Sequence, residues 1–513
     1  MFKFFDKRFF IIFLFPIILG GLTVLSFQPF NFFFINFFSL SSLFFLIIYV
    51  KKRSKSIYRK KPFYRNLFIL GTSYGFGFYF FGIYWIVYSL TFDPAFQILI
   101  PFALILIPLI LSLTFSLPVL FVGSFIKNDI ASVFLISLFF SLADFLKGAV
   151  FPEFPWNLWA YSFSWSLETL QILSLIGLFS LNILVLTLFF SPTILFIKKK
   201  SKYYFLGIII LGFFSNYLYG SYKINTFKPN INEKVNFKIV SAQFNLSDFA
   251  NQQKIINKLV KLSEPNKGKK TVFVWPEGTF VKDIFYSSED IKTLFKNNFS
   301  KNHLIIFGGN TKNNDTFFNS MQVADNEFKI IYKYDKKKLV PFGEFLPFEK
   351  YLTIFGLKKI TPGYSSFSSG KGDSVAILNF GTTNFSLLTL ICYEIIFPNL
   401  VEKNLNRFNF ILNISEDAWF GESIGPFQHF AKSIFRSIES RRYTIRAANK
   451  GISAFVDPTG KILKNLEPNE EGNIEMELPI LNNNDYTVKK SLKFPLLLIT
   501  YIFLFFVLSR LKF

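Results

Sequence analysis

The chain has 513 residues, 51% of them hydrophobic, and a net charge of +23. Its mean hydropathy of +0.37 excludes a wholly soluble protein and assigns a large share of the chain to lipid. A single cysteine, Cys392, excludes an intramolecular disulfide, and two histidines, His303 and His429, are too few for zinc sites built on several Cys and His ligands. Neither histidine is accompanied by the G-x-S-x-G elbow of a serine hydrolase. The charge would suit a nucleic-acid partner, but the basic residues cluster beside apolar runs, so they are read as membrane-flanking loops and no nucleic acid is expected.

Taken in chain order, apolar runs of roughly membrane-crossing length recur at 9–26, 31–50, 66–90, 96–126, 130–150, 168–197 and 203–220, with one more at 494–511. The first is short, with a tight turn after it around Phe27-Gln28-Pro29-Phe30. A cleaved signal peptide is the competing reading for it, and the lack of a small-residue cleavage site before Phe27 favours a retained helix. Basic residues mark alternate loops: 51–65 and 198–202 are densely positive, as are Lys7-Arg8 and Arg510-Leu511-Lys512. The loops around Asp93 and Glu153 carry no such excess. With about eight crossings, positive loops on the inside place both termini in the cytoplasm and the long segment after residue 222 outside.

Between 223 and 490 the composition turns polar and the apolar runs shorten to strand length. Strands are predicted at 237–242, 271–275, 304–308, 329–334, 385–391, 410–414 and 452–456, with helices around 251–263 and 426–448. The Ser/Gly-rich stretch 364–372 is a loop. The predicted organisation is therefore a helical membrane part (1–222), one α/β domain (223–490) and a last membrane helix (491–513).

Three short sequences in the α/β domain lie at or just after predicted strand ends, where catalytic groups of α/β sheets converge. They are Val274-Trp275-Pro276-Glu277-Gly278, the run from Tyr334 through Lys336 to Glu344, and Leu390-Ile391-Cys392-Tyr393-Glu394. A glutamate, a lysine and a cysteine together would supply a base, an oxyanion donor and a nucleophile. Taken singly each has an ordinary reading: Glu277 as a turn residue, Lys336 within a solvated charge run, Cys392 as a small buried hydrophobe.

In this order and with their neighbours, the three stretches resemble the Glu-Lys-Cys triad of the nitrilase superfamily, with Glu277, Lys336 and Cys392 on the matching positions. The flanking membrane helices narrow the resemblance to the apolipoprotein N-acyltransferases, the integral membrane branch of that superfamily. Ala143-Asp144-Phe145-Leu146-Lys147 with Phe154-Pro155-Trp156-Asn157 is similar to that family, as are the run from Leu339 to Phe345, Asp417-Ala418-Trp419-Phe420-Gly421, and Arg446-Ala447-Ala448-Asn449-Lys450-Gly451. Three departures stand out: Lys338 where relatives commonly carry His, Glu416-Asp417 where an Asn-Asp pair is usual, and Phe249 where an important Trp is usual.

The resemblance implies a multi-pass helical membrane domain joined to an α-β-β-α sandwich. It implies acyl transfer from a phospholipid donor to the N-terminal cysteine amine of a diacylglyceryl-modified lipoprotein, through a thioester on Cys392. Glu344 would support the transition state beside Lys336, and Tyr393 and Glu394 would position the nucleophile. Phe249, Phe345, Leu346, Trp419 and Phe420 would line the substrate site. The apolar loop 342–355 is read as a mobile arm in the outer leaflet, with packing as core the alternative. The resemblance further implies membrane lipids as surroundings, no cofactor or metal, a monomer, and a bacterial inner membrane with the catalytic domain in the periplasm. A membrane-anchored nitrilase-type amidase, with water as the acceptor, is the alternative function.

Overall fold

The computed structural model describes residues 9–54, 60–229, 233–245, 248, 251–280, 289–352, 354, 359, 366–481 and 490–510. It separates into two compact units. One comprises Met1–Val87, Ile98–Thr226 and Val488–Phe513, and the other Tyr88–Gln97 and Phe227–Thr487.

The first unit is helical. Among the described residues, six helices are long and apolar enough to cross a bilayer: Ile35–Arg53, Pro94–Phe125, Ile130–Ala149, Leu178–Phe196, Lys202–Asn225 and Lys493–Arg510. Phe63–Gly82 and Tyr84–Thr91, bent by 49°, make a seventh if they are one span. The predicted first run forms a shorter helix, Phe10–Ser26. The predicted run 168–197 is not one helix. Gly177, at φ 77°, breaks it into Leu167–Ile176 and Leu178–Phe196, because only glycine takes that backbone conformation without strain. Ile208, Ile210, Leu211, Phe214, Ile499 and Phe503 are exposed on their helices, the placement that hydrocarbon, not water, solvates. The unit is that of a membrane protein.

Among the described residues its interior carries one ionic cluster. Lys147 and Asp144, three residues apart on one helix, are both buried and 3.2 Å apart. Asn182 donates to Asp144 at 2.9 Å and accepts from the Ala160 N–H at 3.1 Å, while Lys147 donates to the Tyr79 hydroxyl at 3.1 Å. Tyr501 of the last helix meets Thr187 at 2.7 Å and packs against Phe134.

The second unit is a sandwich of two six-stranded sheets. The strands in chain order are β1 (Lys234–Ser241), β2 (Thr271–Val274), β3 (His303–Asn313), β4 (Thr316–Ala324), β5 (Ile330–Asp335), β6 (Val375–Phe380), β7 (Thr383–Ile391), β8 (Phe410–Glu416), β9 (Tyr443–Asn449), β10 (Ser453–Val456), β11 (Ile462–Leu466) and β12 (Gly472–Pro479). One sheet runs β12-β1-β2-β3-β4-β5 and the other β11-β10-β9-β8-β7-β6. Each has a parallel centre, β1-β2-β3 in one and β7-β8-β9 in the other, with antiparallel flanks.

Period-two alternation explains the layers. Val272 and Val274 of β2, and Leu304 and Ile306 of β3, face the inter-sheet core with Leu387, Ile391, Leu412 and Ile445. Phe273, Trp275, Ile305 and Phe307 face the other way, onto the helices Gln252–Ser263 and Glu289–Asn298. Each of these side chains contributes gross burial of about 1.5–3 kcal/mol. Every predicted strand is present, but the predicted helix 426–448 ends early. Gly425–Ser440 is helical, Arg441 caps it at φ 54°, and Tyr443–Asn449 is β9. The left-handed cap turns the chain, and the Tyr443-Thr444-Ile445 run then suits a pleated sheet.

Candidate active site

The structure brings Glu277, Lys336 and Glu344 together around a residue the sequence reading passed over, Asn319 of β4. Glu277 follows β2 and is buried, with Oε1 accepting from Asn319 Nδ2 at 2.7 Å and Oε2 from the Glu416 N–H at 2.8 Å. The same Nδ2 donates to Glu344 Oε1 at 2.7 Å, so one amide bridges both carboxylates. Lys336, directly after β5, is 1% exposed, which removes the solvated-charge reading. Its Nζ lies 2.9 Å from Glu344 Oε1 and 3.8 Å from Glu277 Oε1. The other Glu344 oxygen accepts from the Val340 N–H at 2.8 Å, which ties the loop back on itself. Gly308 makes room for this arrangement, since a Cβ there would lie 2.6 Å from the Glu277 Cα.

Cys392 stands one residue past β7 at φ 49°, a left-handed backbone rarely taken by non-glycine residues. Glu394 spans the turn that follows. One oxygen accepts from the Ile391 N–H at 2.9 Å; the other accepts from the Tyr334 hydroxyl and the Lys337 N–H at 2.8 Å, and from the Lys338 N–H at 3.1 Å. A single buried carboxylate therefore ties the cysteine turn to the lysine loop. The Tyr393 ring is edge-on to Phe397 at 5.0 Å, and Lys338 lies 5.6 Å from the Phe397 ring centre.

A buried polar network lies behind Cys392. Ser415 donates to Asp417 at 2.6 Å, and Asp417 also contacts Arg446 at 2.8 Å and His429 at 3.0 Å. Arg446 donates as well to Asn413, whose amide donates to the Leu390 and Cys392 carbonyls at 3.1 and 3.4 Å. Asn449 ties this side to the segment after β1, donating to the Phe244 carbonyl at 2.8 Å and to Glu416 at 2.9 Å.

Electrostatics assign these groups different characters. Burial pushes the Glu277 carboxyl up; Lys336 opposes this and Glu344 adds to it. Burial also works against the Lys336 charge, but Glu344 and Glu277 outweigh it and hold the ammonium protonated above its ordinary range. Burial and then the Glu277 charge push the Cys392 thiol up, against Lys336. Glu416 is raised too, by burial. A protonated thiol, a poised carboxylate and a fixed ammonium can make a nucleophile only as the base takes its proton.

Of the residues expected to line the substrate site, Leu346 is 4% exposed and packs inward, while Phe345 is half-buried. In the same loop Phe342, Phe348, Tyr351 and Ile354 are exposed. Trp419 is edge-on to Phe92 at 5.2 Å, and Phe420 is buried against His429 at 5.3 Å. Phe249 lies outside the described residues. Among the described residues no group of three or more His, Cys, Asp or Glu side chains could hold a metal ion.

Two family models match the chain: carbon-nitrogen hydrolase at residues 245–480 and apolipoprotein N-acyltransferase N-terminal domain at residues 19–191. The apolipoprotein N-acyltransferase of Rickettsia prowazekii is 32% identical over 421 residues, 80% of this chain and 82% of the relative. That of Rickettsia typhi is 31% identical over 477 residues, 90% of this chain and 91% of the relative. That of Allorhizobium ampelinum is 29% identical over 470 residues, 88% of this chain and 87% of the relative.

Proposed function

We propose the following function from the premise that this chain belongs to the apolipoprotein N-acyltransferase family: it transfers a fatty acyl group from a phospholipid to the N-terminal cysteine amine of diacylglyceryl-modified lipoproteins. Glu277 is the base, Lys336 the oxyanion donor and Cys392 the nucleophile. The observation that carries this reading is the buried lysine held between two carboxylates, acting on a strained cysteine at the end of the neighbouring sheet.

In the first half-reaction Cys392 Sγ attacks the ester carbonyl of the phospholipid as Glu277 takes the thiol proton. Lys336 and the Tyr393 N–H stabilise the oxyanion, and each such donor is worth roughly two to three orders of magnitude in rate. The ester C–O bond breaks, the Glu277 proton passes to the departing lysophospholipid alkoxide, and a thioester remains on Cys392. In the second half the lipoprotein amine attacks that thioester, Glu277 removes its proton, the C–S bond breaks, and the proton passes from Glu277 to the departing sulfur to regenerate the thiol. Thioester to amide runs downhill, so the exchange closes without an added energy source. Glu344 keeps Lys336 aimed, and Glu394 keeps the cysteine turn and the lysine loop in register.

We assign the catalytic domain to 223–490 and the membrane part to 1–222 and 491–513, acting as a monomer in a bacterial inner membrane, with the domain periplasmic and both termini cytoplasmic. The basic loops 51–65 and 198–202 support that orientation. Phe345, Leu346, Trp419, Phe420 and Phe249 remain the proposed acyl-contacting residues. The exposed Phe342 and Phe348 support a lipid-facing arm, with Leu346 as its inward anchor.

The test is the intact mass of the protein purified in mild detergent with phospholipid, before and after neutral hydroxylamine. A fatty-acyl increment that hydroxylamine removes and Cys392→Ala never shows is the expected result. An unmodified mass with phospholipid present and no acceptor would overturn the thioester and favour the amidase reading.

A further inference from the structure

We infer that Asn413 is a positioning residue for the oxyanion: it fixes the peptide that carries the Tyr393 N–H. The inference rests on the reading of Cys392 as nucleophile and Tyr393 N–H as donor.

β7 ends at Ile391, so the Cys392 carbonyl has left the ladder, and the left-handed turn at φ 49° swings the next peptide away from the strand path. Asn413 sits on the adjacent parallel strand opposite Leu390 and is fully buried. Its Nδ2 reaches the Leu390 carbonyl at 3.1 Å and the Cys392 carbonyl at 3.4 Å, gripping the elbow on both sides of the nucleophile. The amide cannot turn over, because Arg446 donates to its Oδ1, and a reversed amide would set N–H against N–H. Arg446 is fixed in turn by Asp417 at 2.8 Å and the Ile452 carbonyl at 3.2 Å.

The consequence follows from peptide planarity. The Cys392 carbonyl and the Tyr393 N–H share one trans peptide and point in opposite directions. Holding the oxygen therefore aims the hydrogen, and an oxyanion donor works only if it is aimed before charge develops. An apolar side chain at 413 would fill the same space and leave this peptide to swing.

The test separates steps that form an oxyanion from one that does not. In the full-length protein with phospholipid, Asn413→Asp keeps an acceptor for Arg446 but loses both N–H donors. Thioester formation, followed by intact mass, is expected to fall about tenfold to a hundredfold. Alkylation of Cys392 by iodoacetamide, a displacement with no oxyanion, is expected to keep its rate. Asn413→Ala, read the same way with its unfolding midpoint measured alongside, covers the case in which the aspartate variant does not fold. Equal losses in acylation and alkylation would mean the elbow has collapsed and would overturn the proposal, as would no loss in either. Cys392→Ala is the control for the underlying reading: if it still acquires the acyl mass, the nucleophile is elsewhere and that reading falls first.

Discussion

Lys147, among the membrane helices, and Lys336, in the sandwich, are each 1% exposed and have opposite surroundings. Lys147 faces one carboxylate, Asp144, three residues away on its own helix, and neutral groups complete the cluster, the Tyr79 hydroxyl on Lys147 and the Asn182 amide on Asp144. Its charge is balanced locally. Lys336 faces two carboxylates from separate segments, Glu277 and Glu344, with Asn319 holding the two acids together. That cluster is short of positive charge. Balanced burial pins helices, whereas unbalanced burial stores a site for proton transfer.

The largest expected effect breaks the comparison at its centre. Lys336→Met should lower acyl transfer by roughly two to three orders of magnitude, because it removes the proposed charged oxyanion donor. Lys147→Met should instead act on folding, at a cost of about 3–5 kcal/mol for the stranded Asp144 charge, with turnover per folded molecule little changed. Asp144→Asn with Lys147→Met should recover most of that stability. Thermal unfolding in detergent and turnover normalised to folded protein check both. A well-folded Lys147→Met protein without turnover would erase the distinction.

A smaller effect sharpens it. The Glu277 carboxyl is raised by burial and further by Glu344, against Lys336. As the proposed base it must be ionised, so the acidic limb of kcat/KM should lie above the ordinary glutamate range. Glu344→Gln removes the neighbouring negative charge and leaves Lys336 to Glu277 alone. Both changes favour the ionised form, so the limb should move to lower pH even as the maximum rate falls. A limb that stays in place would show that Glu344 does not act on Glu277.

The sequence makes one of these clusters more legible than the other. Glu277, Lys336, Cys392, Glu344 and Glu394 sit in short motifs at strand ends, where residue type and position both signal chemistry. Asn319 carries no such mark, because it lies mid-strand in β4 among ordinary strand residues and is singled out only by the two acids folded against it. Asn413 and Arg446 likewise act across parallel strands remote in sequence, a relation that local periodicity does not encode. Strand existence is legible for β1, β2, β3, β7 and β8, which are buried along most of their length. The flanking strands β4, β6, β11 and β12 carry weaker signals, each of them partly exposed. The helix predicted through 448 overran for a different reason. Arg441 takes a left-handed cap without the glycine that ordinarily announces one.

The smallest effect concerns a third buried cluster, whose balance resembles that of Lys147. Asp417 and Arg446 neutralise each other, and burial followed by the Arg446 charge depresses the His429 pKa to about 4. The unfolded chain protonates this histidine near pH 6.5. The stability it contributes is therefore fully present above about 6.5 and is lost as pH falls towards 4, because the unfolded state takes up a proton that the folded state refuses. Glu277 and Glu416, with raised carboxyls, act with the opposite sign, since their folded forms hold protons more tightly. The net slope of stability with pH therefore mixes both, and a substitution isolates the histidine. His429→Gln should lose stability at pH 8 through its Asp417 contact but fall less than the unsubstituted protein on acidification, by about 2 kcal/mol at pH 5. Parallel pH profiles for the two proteins would mean that His429 titrates alike in the folded and unfolded chains, and burial beside Arg446 would then not be holding it neutral.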